Sequence, residues 1–497
     1  MNHTGPLHAV SDASRGQVPL IRWTHGLINR CVMLADASTL LLGTAVTWRP
    51  NFGAGAMFSL GQALVIGLLA AVAFVGVLRR TGGYRVERFR KPLAVGFDIL
   101  LGAAAAVVLC GCVIATFAET TPSPQWLAIL VVLLFALVAL ERLVVGRLVG
   151  VVQRVGLLRV KVAVIGANPA GLGMLRRLTT AEFGHQYDVV GLFSDSGDND
   201  AGHYFDSLEP GQIAGDVSDL GAYAQTHPID MIVVCLPFQS AERRSRIIDE
   251  VQWIAADVVI PIAIDHPEGT DTIIPNAQIT MVGGVQTLQV MHRPFKGTQG
   301  LLKIAEDYLV GALALLFFAP LMLLAAVAIR LDSPGPILFR QARTGFNNKP
   351  FLICKFRTMT VDPNDDGSIG TLQRDHPRIT RVGRVLRSLS IDELPQLLNV
   401  MRGEMSVVGP RPYVPNMLVG RTPFTDTVRQ YAARHRIKPG ITGWAQANGL
   451  RGNALRTVEG AKRSVDLDIY YITHWSLWFD LQIMMRTVMV LAGRNVF

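Results

Sequence analysis

The sequence lacks the features that mark disulfide-rich, zinc-binding or exported chains. Its five cysteines show no metal-site spacing, and the only close pair, Cys110 and Cys112, lies inside an apolar run. Disulfides and zinc sites are therefore not expected. The polar residues up to Arg22 contain no short apolar core followed by a cleavage site, so we also expect no removable signal peptide.

The composition instead favours a membrane protein that handles anions. Half of the 497 residues are hydrophobic, and the mean hydropathy of +0.34 is high for a soluble protein of this length. Several membrane segments combined with soluble domains would account for it. The net charge of +9 fits a surface beside anionic lipid or phosphate groups. Nucleic acid would explain the charge but not the hydrophobicity, so no nucleic-acid partner is expected.

Four apolar stretches near the start of the chain each approach the ~20 residues that a helix needs to cross a bilayer. They predict a transmembrane domain at 26–150, after a cytoplasmic segment at 1–25, and they cover Leu27–Val46, Ala56–Leu78, Leu93–Phe117 and Trp126–Val145. Asp36 and Glu141 interrupt two of them and should face the bundle or lie near its ends. The loop from Arg79 to Lys91 is strongly basic, so this loop and all residues after Gly150 should be cytoplasmic.

Residues 151–295 alternate short β-branched runs with polar helical segments. The runs predict the strands of a doubly wound, Rossmann-like α/β domain at Val160–Ile165, Val189–Phe193, Met231–Leu236 and Val258–Ile264. Gly166, Gly171 and Gly173 do not form the dinucleotide fingerprint, because Asn168 stands where its second glycine belongs. Asp195 follows at a distance suited to a ribose, but the degenerate fingerprint favours a structural or regulatory domain over a nucleotide site.

A fifth apolar run, Tyr308–Ile329, predicts a membrane helix at 308–330 that does not cross. Pro320 near its middle removes a helical hydrogen bond and predicts a bend. Basic residues flank the run on both sides, with Lys303 before it and Arg330 after it, so both ends are expected in the cytoplasm. A re-entrant hairpin that enters the inner leaflet, bends at Pro320 and returns satisfies both observations. A proline-kinked crossing is the alternative.

Beyond this run, two adjacent acids, Asp392 and Glu393, precede a Gly- and Pro-rich loop that carries Arg411. Carboxylates close to basic residues and rigid loop backbone suggest chemistry on a phosphate, with one acid as nucleophile or metal ligand. Taken alone, however, these residues favour a structural interpretation, because Ser390 and Glu393 fit a capping box at a helix start. The field of such a helix would favour the ionised form of Asp392 under either interpretation.

Basic residues flank the acidic pair. Alternation over residues 351–359 predicts a strand with Lys355 and Arg357 on one face. Four arginines recur every third residue on an amphipathic segment, namely Arg378, Arg381, Arg384 and Arg387. Such a stripe can hold lipid phosphates or a nucleotide pyrophosphate, and a snorkelling surface face is the alternative. The tail, residues 470–494, predicts an amphipathic helix at the membrane interface.

Four motifs in order resemble those of the bacterial sugar transferase family, the monotopic phosphoglycosyl transferases. They are KFRTM at 355–359, DELPQ at 392–396, GEMSVVGPRP at 403–412 and KPGITGWAQ at 438–446. The resemblance covers residues 296–497 and implies a C-terminal α/β catalytic domain with the re-entrant helix. The preceding parts are similar to those of the large members, which start exopolysaccharide and capsule repeat units. The expected fold is thus a mixed α/β membrane protein with four N-terminal transmembrane helices, a Rossmann-like domain and this catalytic domain.

The resemblance implies a two-step phosphoryl transfer. Asp392 would attack the β-phosphate of a UDP-hexose, with UDP-glucose favoured by the tail sequence, expel UMP and pass hexose-1-phosphate to undecaprenyl phosphate. Glu393 would orient or deprotonate, and Mg²⁺, with Asp392 as its protein contact, would neutralise the diphosphate. Phosphate contacts are expected from Lys355, Arg357, Arg387, Arg411 and Arg451. The implied setting is the cytoplasmic face of the bacterial inner membrane, among its lipids, while the identity of the hexose and homo-oligomer formation are left open.

Two other functions are compatible with the sequence. A membrane-anchored nucleotide-sugar oxidoreductase or dehydratase would bind a cofactor tightly on residues 166–173, which the degenerate fingerprint does not favour. A non-enzymatic assembly scaffold would use the helices and the α/β domain to recruit export machinery. Release of UMP from a UDP-sugar separates all three functions.

Overall fold

The fold is seen in a computed structural model of the chain. The structure describes residues 25–493 except 48–59, 85–91, 118–123, 155–157, 196–203, 207, 209–211, 237–240, 263–277, 361–375, 415–416, 451, 453–454 and 456. Packing divides the chain into a helical unit, residues 22–159, and a larger unit that contains everything from Val160 onward.

The helical unit contains the four predicted helices. They are α1 His25–Thr47, α2 Leu60–Thr81, α3 Pro92–Phe117 and α4 Pro124–Arg154. Phe74 and Leu78 lie at its core. Within the described residues of the whole chain, three helices are long and apolar enough to cross a membrane, at Leu64–Thr81, Gly96–Val113 and Thr298–Asp332. The protein is therefore membrane-associated, and the crossing of α1 and α4 stays a prediction.

A buried polar cluster joins the first and fourth helices. Asp36 of α1 is fully buried and accepts hydrogen bonds from Arg142 of α4 and, at 2.7 Å, from the Tyr84 hydroxyl. The Thr39 hydroxyl donates to Glu141 at 3.1 Å. Both acids thus face the interior of the bundle, and the ion pair offsets the cost of burying the Asp36 charge.

The α/β domain is built on a seven-stranded sheet with the order β3-β2-β1-β4-β5-β7-β6. Its first five strands are parallel, which confirms the predicted doubly wound arrangement. These strands are β1 Val160–Ile165, β2 Tyr187–Ser194, β3 Ile213–Asp216, β4 Met231–Val234 and β5 Asp257–Pro261. The helices between them are α5 Pro169–Thr179, α6 Val217–Thr226 and α7 Ala241–Val251.

The sheet ends in an antiparallel hairpin that we did not predict. Strands β6, Gln278–Val282, and β7, Val285–Met291, pair with each other, and β7 pairs with β5. Gly283 and Gly284 form the turn with φ of 55° and 73°. A Gly-Gly pair between two β-branched runs is a hairpin signal, because both turn residues need positive φ, so the pattern was present in the sequence.

The C-terminal domain begins with helix α8, Thr298–Asp332, and mixes short strands with helices. Its strands are β8 Leu338–Thr344, β9 Pro350–Phe356, β10 Ser406–Val408, β11 Leu418–Val419, β12 Thr422–Pro423 and β13 Gly440–Thr442. Its further helices are α9 Arg381–Ser388, α10 Gln396–Met401, α11 Phe424–Thr427, α12 Trp444–Ala447, α13 Val458–Thr473 and α14 Leu477–Gly493. Ile353, Met405 and Tyr471 lie in its core.

Helix α8 is helical over all of its 35 residues and contains Pro320. Its middle exposes large apolar side chains, and Phe317 is 78% exposed. Before the proline, Lys303 pairs with Asp480 at 2.6 Å, and Asp307 accepts a hydrogen bond from the Ser406 hydroxyl at 2.7 Å. The first part of the helix is therefore anchored in the C-terminal domain.

The part of α8 after Pro320 is anchored in the same domain. Ala325 and Ile329 are buried in a cluster with Phe356 and Leu386. The helix ends at Asp332, whose carboxylate accepts a hydrogen bond from the Val382 N–H at 3.1 Å. Contacts with the C-terminal domain thus lie on both sides of the exposed apolar middle.

The tail differs from the predicted single helix. Helix α13 ends at Thr473 and α14 begins at Leu477. Trp475, between them, is buried and donates a hydrogen bond to Asp480 at 2.8 Å, whereas Trp478 is 62% exposed. The predicted single helix is therefore interrupted at Trp475, whose indole ring is buried. The apolar composition of the tail did not indicate this break.

Candidate active site

The acidic pair lies in a short 3₁₀ turn, Ile391–Glu393, just before α10. Ser390 has a left-handed backbone with φ 56°, and its side chain makes no capping hydrogen bond. The predicted capping box is therefore wrong. The α-helix starts only at Gln396. Asp392 therefore does not lie in a first α-helical turn, where the helix dipole would favour its ionised form.

Glu393 is held between two cations. Its Oε1 lies 2.8 Å from Lys355 Nζ of β9 and accepts a hydrogen bond from Arg411 Nη2 at 2.9 Å. Burial opposes its charged form, but Arg411 and Lys355 outweigh that cost and hold the pKa of Glu393 well below its usual range. Glu393 is therefore ionised at neutral pH and fixes the positions of both cations.

Asp392 has a different environment from its neighbour. Among the described residues, no hydrogen bond or ion pair joins its carboxylate to another side chain. Burial and the adjacent Glu393 anion raise the pKa of Asp392 to about 6, while Lys355, Arg387 and Arg411 oppose the rise. The carboxylate is thus ionised above that pH and has oxygens available for a substrate or a metal ion.

Arg387 is directed towards Asp392 by the packing of α9 on Thr358, in the segment that follows β9. A Cβ on Gly383 would lie 2.2 Å from the Thr358 carbonyl oxygen, so only glycine permits this approach. Arg387 Nε then donates to the Thr358 hydroxyl at 3.0 Å. Burial lowers the pKa of Arg387 and Asp392 opposes this, which leaves a charged guanidinium beside the acid.

Two glycine-rich loops hold the backbone next to Arg411. Strand β10 pairs in parallel with β13, which brings the GPRP segment against the KPGITG segment. A Cβ on Gly440 would lie 2.1 Å from Gly409 N, and one on Gly443 would lie 2.2 Å from Gly409 O. These glycines therefore allow close approach of two backbones, and Arg411 follows directly after the packed segment.

Arg357 lies elsewhere than expected. It follows the end of β9, is 4% exposed, and donates to the carbonyls of Ser333 and Pro334 just after α8. Its guanidinium therefore binds the two carbonyls that directly follow the end of α8. The predicted phosphate contact has no support from this geometry, because the strand ends at Phe356 and the two basic side chains do not share a strand face.

Arg343 of β8 is a cation near the acidic pair that we did not predict as a site residue. Its Nη2 donates to Gln341 at 2.6 Å. Burial and the neighbouring Arg411 lower the pKa of Arg343 to about 10, against the opposing effect of Glu393. In the sequence, Arg343 belongs to the basic residues that follow the fifth apolar run, and that position gave no sign of a role at the acidic pair. Of the remaining predicted residues, Arg451 lies outside the described residues and Pro320 lies inside α8.

Comparisons with known proteins show which family the chain resembles. Residues 298–494 match the family described as bacterial sugar transferase, and residues 79–261 match a CoA-binding domain. The undecaprenyl-phosphate glucose phosphotransferase of Komagataeibacter xylinus is 33% identical over 493 residues, which are 97% of this chain and 88% of that protein. The chain belongs to the bacterial sugar transferase family. This sugar transferase is therefore an enzyme, as predicted, and not a passive scaffold.

Two further relatives differ in the sugar that their names state. The UDP-glucose:undecaprenyl-phosphate glucose-1-phosphate transferase of Caulobacter vibrioides is 51% identical over 183 residues, which are 37% of this chain and 66% of that protein. The UDP-N-acetylgalactosamine-undecaprenyl-phosphate N-acetylgalactosaminephosphotransferase of Aeromonas hydrophila is 40% identical over 188 residues, which are 38% of this chain and 43% of that protein. Membership of the family alone therefore does not identify the sugar.

One acid of the pair in this transferase has the chemistry of a magnesium ligand. Within the described residues, no group of three or more His, Cys, Asp or Glu residues is arranged to hold a metal ion. Mg²⁺ commonly binds through one or two carboxylates, with substrate phosphates and water as the other ligands. Glu393 is occupied by Lys355 and Arg411, so Asp392 is the acid of the pair that could hold the ion.

The α/β domain of the transferase does not fit a diphosphate-bearing cofactor at its first βα turn. Such cofactors bind to free N–H groups at the helix start. Here Asn168 Oδ1 accepts hydrogen bonds from Ala170 N and Gly171 N, both at 3.0 Å, and its Nδ2 donates to the Cys235 carbonyl at 2.7 Å. Asp195, which stands at a distance suited to a ribose, is paired with Arg243 at 2.7 Å. The turn is therefore closed by its own side chains.

Proposed function

We propose that the protein transfers hexose-1-phosphate from a UDP-hexose to undecaprenyl phosphate and releases UMP, with UDP-glucose as the expected donor. The observation that carries the proposal is the asymmetry of the acidic pair. Glu393 is held by two cations, whereas Asp392 has no hydrogen-bond partner among the described residues. An ionised carboxylate beside cations that neutralise phosphate oxygens is suited to attack phosphorus. The names of the relatives support the choice of substrates.

In the first step an Asp392 oxygen bonds to the β-phosphorus of the donor. The bond from this phosphorus to the bridging oxygen breaks, and UMP leaves with that oxygen and the electron pair. The product on the enzyme is a hexose-1-phosphoryl ester of Asp392. Lys355, Arg387 and Arg411 offset the charge on the transferring group, and Glu393 keeps two of these cations in place.

In the second step an oxygen of undecaprenyl phosphate attacks the same phosphorus. The bond to Asp392 breaks, the carboxylate is restored, and the diphosphate-linked lipid forms. Dividing one displacement into two explains why a free carboxylate is needed beside the cations. Mg²⁺ bound at Asp392 would supply neutralisation of the donor diphosphate before the reaction.

The acceptor is a membrane lipid, and helix α8 provides a route to it. A straight helix of 35 residues would be about 50 Å long. Both of its ends contact the C-terminal domain, through Asp307 on one side of Pro320 and Ile329 on the other. These contacts support a re-entrant hairpin, in which the exposed apolar middle enters one leaflet and keeps the site at its surface.

We place the catalytic domain on the cytoplasmic face of the bacterial inner membrane, where UDP-sugars are available. Arg79 and Arg80 at the end of α2 support this orientation, because basic residues concentrate on the cytoplasmic side. In this setting the reaction would be the first membrane step of exopolysaccharide or capsule synthesis.

Release of UMP by the purified full-length protein tests the proposal. The protein in detergent would be given Mg²⁺, undecaprenyl phosphate and one UDP-sugar at a time, from glucose, galactose and their N-acetylated forms. We expect release with UDP-glucose, and its loss in Asp392→Asn. Asp466→Asn, an exposed acid on α13, is the matched control and should release UMP normally. Normal release by Asp392→Asn would contradict the assignment of the nucleophile.

The covalent intermediate has its own test. Without undecaprenyl phosphate, the wild-type protein should release about one UMP per site and retain the labelled hexose phosphate after denaturation. Hydroxylamine should remove the label, because it cleaves acyl phosphates. Steady release of UMP that requires the acceptor from the first turnover, with no retained label, would favour direct transfer instead.

A further inference from the structure

A 3₁₀ segment, Tyr431–Arg436, carries two buried arginines that contact different parts of the larger unit. Arg434 is 1% exposed and Arg436 is 8% exposed. Neither residue belongs to the motifs that identify the active site. The motifs therefore do not explain why two buried guanidinium groups lie on one short turn.

Arg434 holds the backbone of an active-site residue. Its Nη2 donates to the Arg411 carbonyl at 2.8 Å and to Asp468 Oδ2 at 2.7 Å. Its guanidinium lies over the Tyr413 ring, with the carbon 4.2 Å from the ring centre. Arg434 therefore restrains the backbone of Arg411 through its carbonyl oxygen. The Arg411 side chain, in turn, donates a hydrogen bond to Glu393 at 2.9 Å.

Arg436 reaches into the α/β domain. It donates to the carbonyls of His292 at 2.6 Å, Ala256 at 2.9 Å and Ile254 at 3.3 Å. All three acceptors are neutral, so burial lowers the pKa of Arg436 to about 10, although Asp257 opposes the shift. A guanidinium with three backbone acceptors is rigid, because its donors have a fixed planar geometry.

The same turn of the α/β domain is held by a second residue of the C-terminal domain. Asn347, in the turn between β8 and β9, has a left-handed backbone with φ 50°. Its side chain accepts a hydrogen bond from Ala255 N at 3.0 Å and donates to the Ala224 carbonyl at 3.2 Å. Three consecutive residues, 254–256, are thus bonded to the C-terminal domain.

We propose that Arg436 and Arg434 are positioning residues through which the α/β domain fixes Arg411 against Glu393. The α/β domain binds Arg436, and Arg434 lies two residues earlier on the same 3₁₀ turn. A fixed Arg436 therefore limits the movement of Arg434, and Arg434 limits the movement of the Arg411 backbone. This structural role of the α/β domain requires no cofactor, which is consistent with the closed first turn of that domain. The kinetic consequence rests on the proposed function, whereas the structural link does not.

Hydrogen exchange tests the link without requiring activity. We expect Arg436→Met in the full-length protein to speed exchange of the amides at 411–414 by at least about threefold, since one end of the restraint is lost. Arg429→Gln is the control, because Arg429 pairs with Asp249 at the same interface but is 65% exposed and lies outside the chain of contacts. Unchanged exchange at 411–414 in Arg436→Met would overturn the proposal.

Steady-state kinetics test the consequence for chemistry. Arg411 is held against Glu393 and offsets charge on the transferring phosphate, so a displaced Arg411 should lower the kcat of UMP release about tenfold and change the KM for UDP-glucose by less than about twofold. The control Arg429→Gln should keep the wild-type kcat. If Arg436→Met does not fold, Asn347→Ala loosens the same turn and should shift both readouts in the same direction. An unchanged kcat in a folded variant would overturn the link to catalysis. Wild-type protein inactive with every UDP-sugar would instead refute the proposed function and leave exchange to decide the link.

Discussion

Replacing Asp392 by Asn should make the C-terminal domain more stable at neutral pH while it removes the proposed nucleophile. Burial and the Glu393 anion raise the pKa of Asp392 from 3.8 to about 6. A carboxyl with a raised pKa binds its proton more tightly in the folded protein than in the unfolded chain. Its contribution to stability is therefore present below about pH 4, is lost as the pH rises to about 6, and stays lost above that.

The size of the effect follows from the pKa values. A rise from 3.8 to about 6 corresponds to about 3 kcal/mol of unfolding free energy. Asp392 is half-buried, so solvent reduces this figure, and we expect about 2 kcal/mol. For a domain of about 200 residues, such a gain raises the midpoint of thermal unfolding by about 4–8 °C.

Thermal unfolding in detergent at about pH 7.5 and about pH 4.5 would measure it. Asp392→Asn should unfold at the higher temperature at the upper pH, and its advantage over the wild type should shrink at the lower pH. The exposed control, Asp466→Asn, should show no pH-dependent difference. A midpoint of Asp392→Asn equal to or below that of the wild type at about pH 7.5 would refute the view that Asp392 is kept as a destabilised anion.

Three further outcomes follow from the structure. UMP release should increase as the pH rises through about 6, because Asp392 must be ionised, and a profile centred below about pH 5 would contradict the raised pKa. Arg387→Gln should raise the KM for UDP-glucose about tenfold, whereas Arg357→Gln should lower the unfolding temperature with KM unchanged; equal effects on KM would show that Arg357 also contacts phosphate. Cysteines introduced at Gln299 and Arg340, in a variant without the native cysteines, should be labelled from the same side of the membrane, and labelling from opposite sides would exclude the hairpin.

Local pattern was sufficient for much of the architecture. Strand β1 begins and ends where its β-branched run does, and Asn168 was already the residue that breaks the dinucleotide fingerprint. The structure adds the reason, since the Asn168 side chain occupies the N–H groups that a diphosphate would need. The sequence was therefore sufficient to predict features that a short continuous run of residues determines.

The parts that sequence could not provide depend on residues far apart in the chain. Ser390 and Glu393 have the spacing of a capping box, but Glu393 pairs instead with Lys355, 38 residues earlier. Arg357 follows Lys355 by two residues and resembles a second phosphate ligand, yet the strand ends between them and its partners lie at the end of α8. Local spacing is compatible with a structural and with a functional role for each of these residues. Only the tertiary contacts distinguish the two roles.

The ion pair between Asp36 and Arg142 implies an order of assembly. The two residues are 106 positions apart, on the first and last helices of the helical unit. If α1 crosses the membrane as predicted, Asp36 has no cation to pair with while the ribosome is still producing the intervening chain, and its charge is costly to leave in lipid. In that arrangement α1 would reach its final position only after α4 has been synthesised.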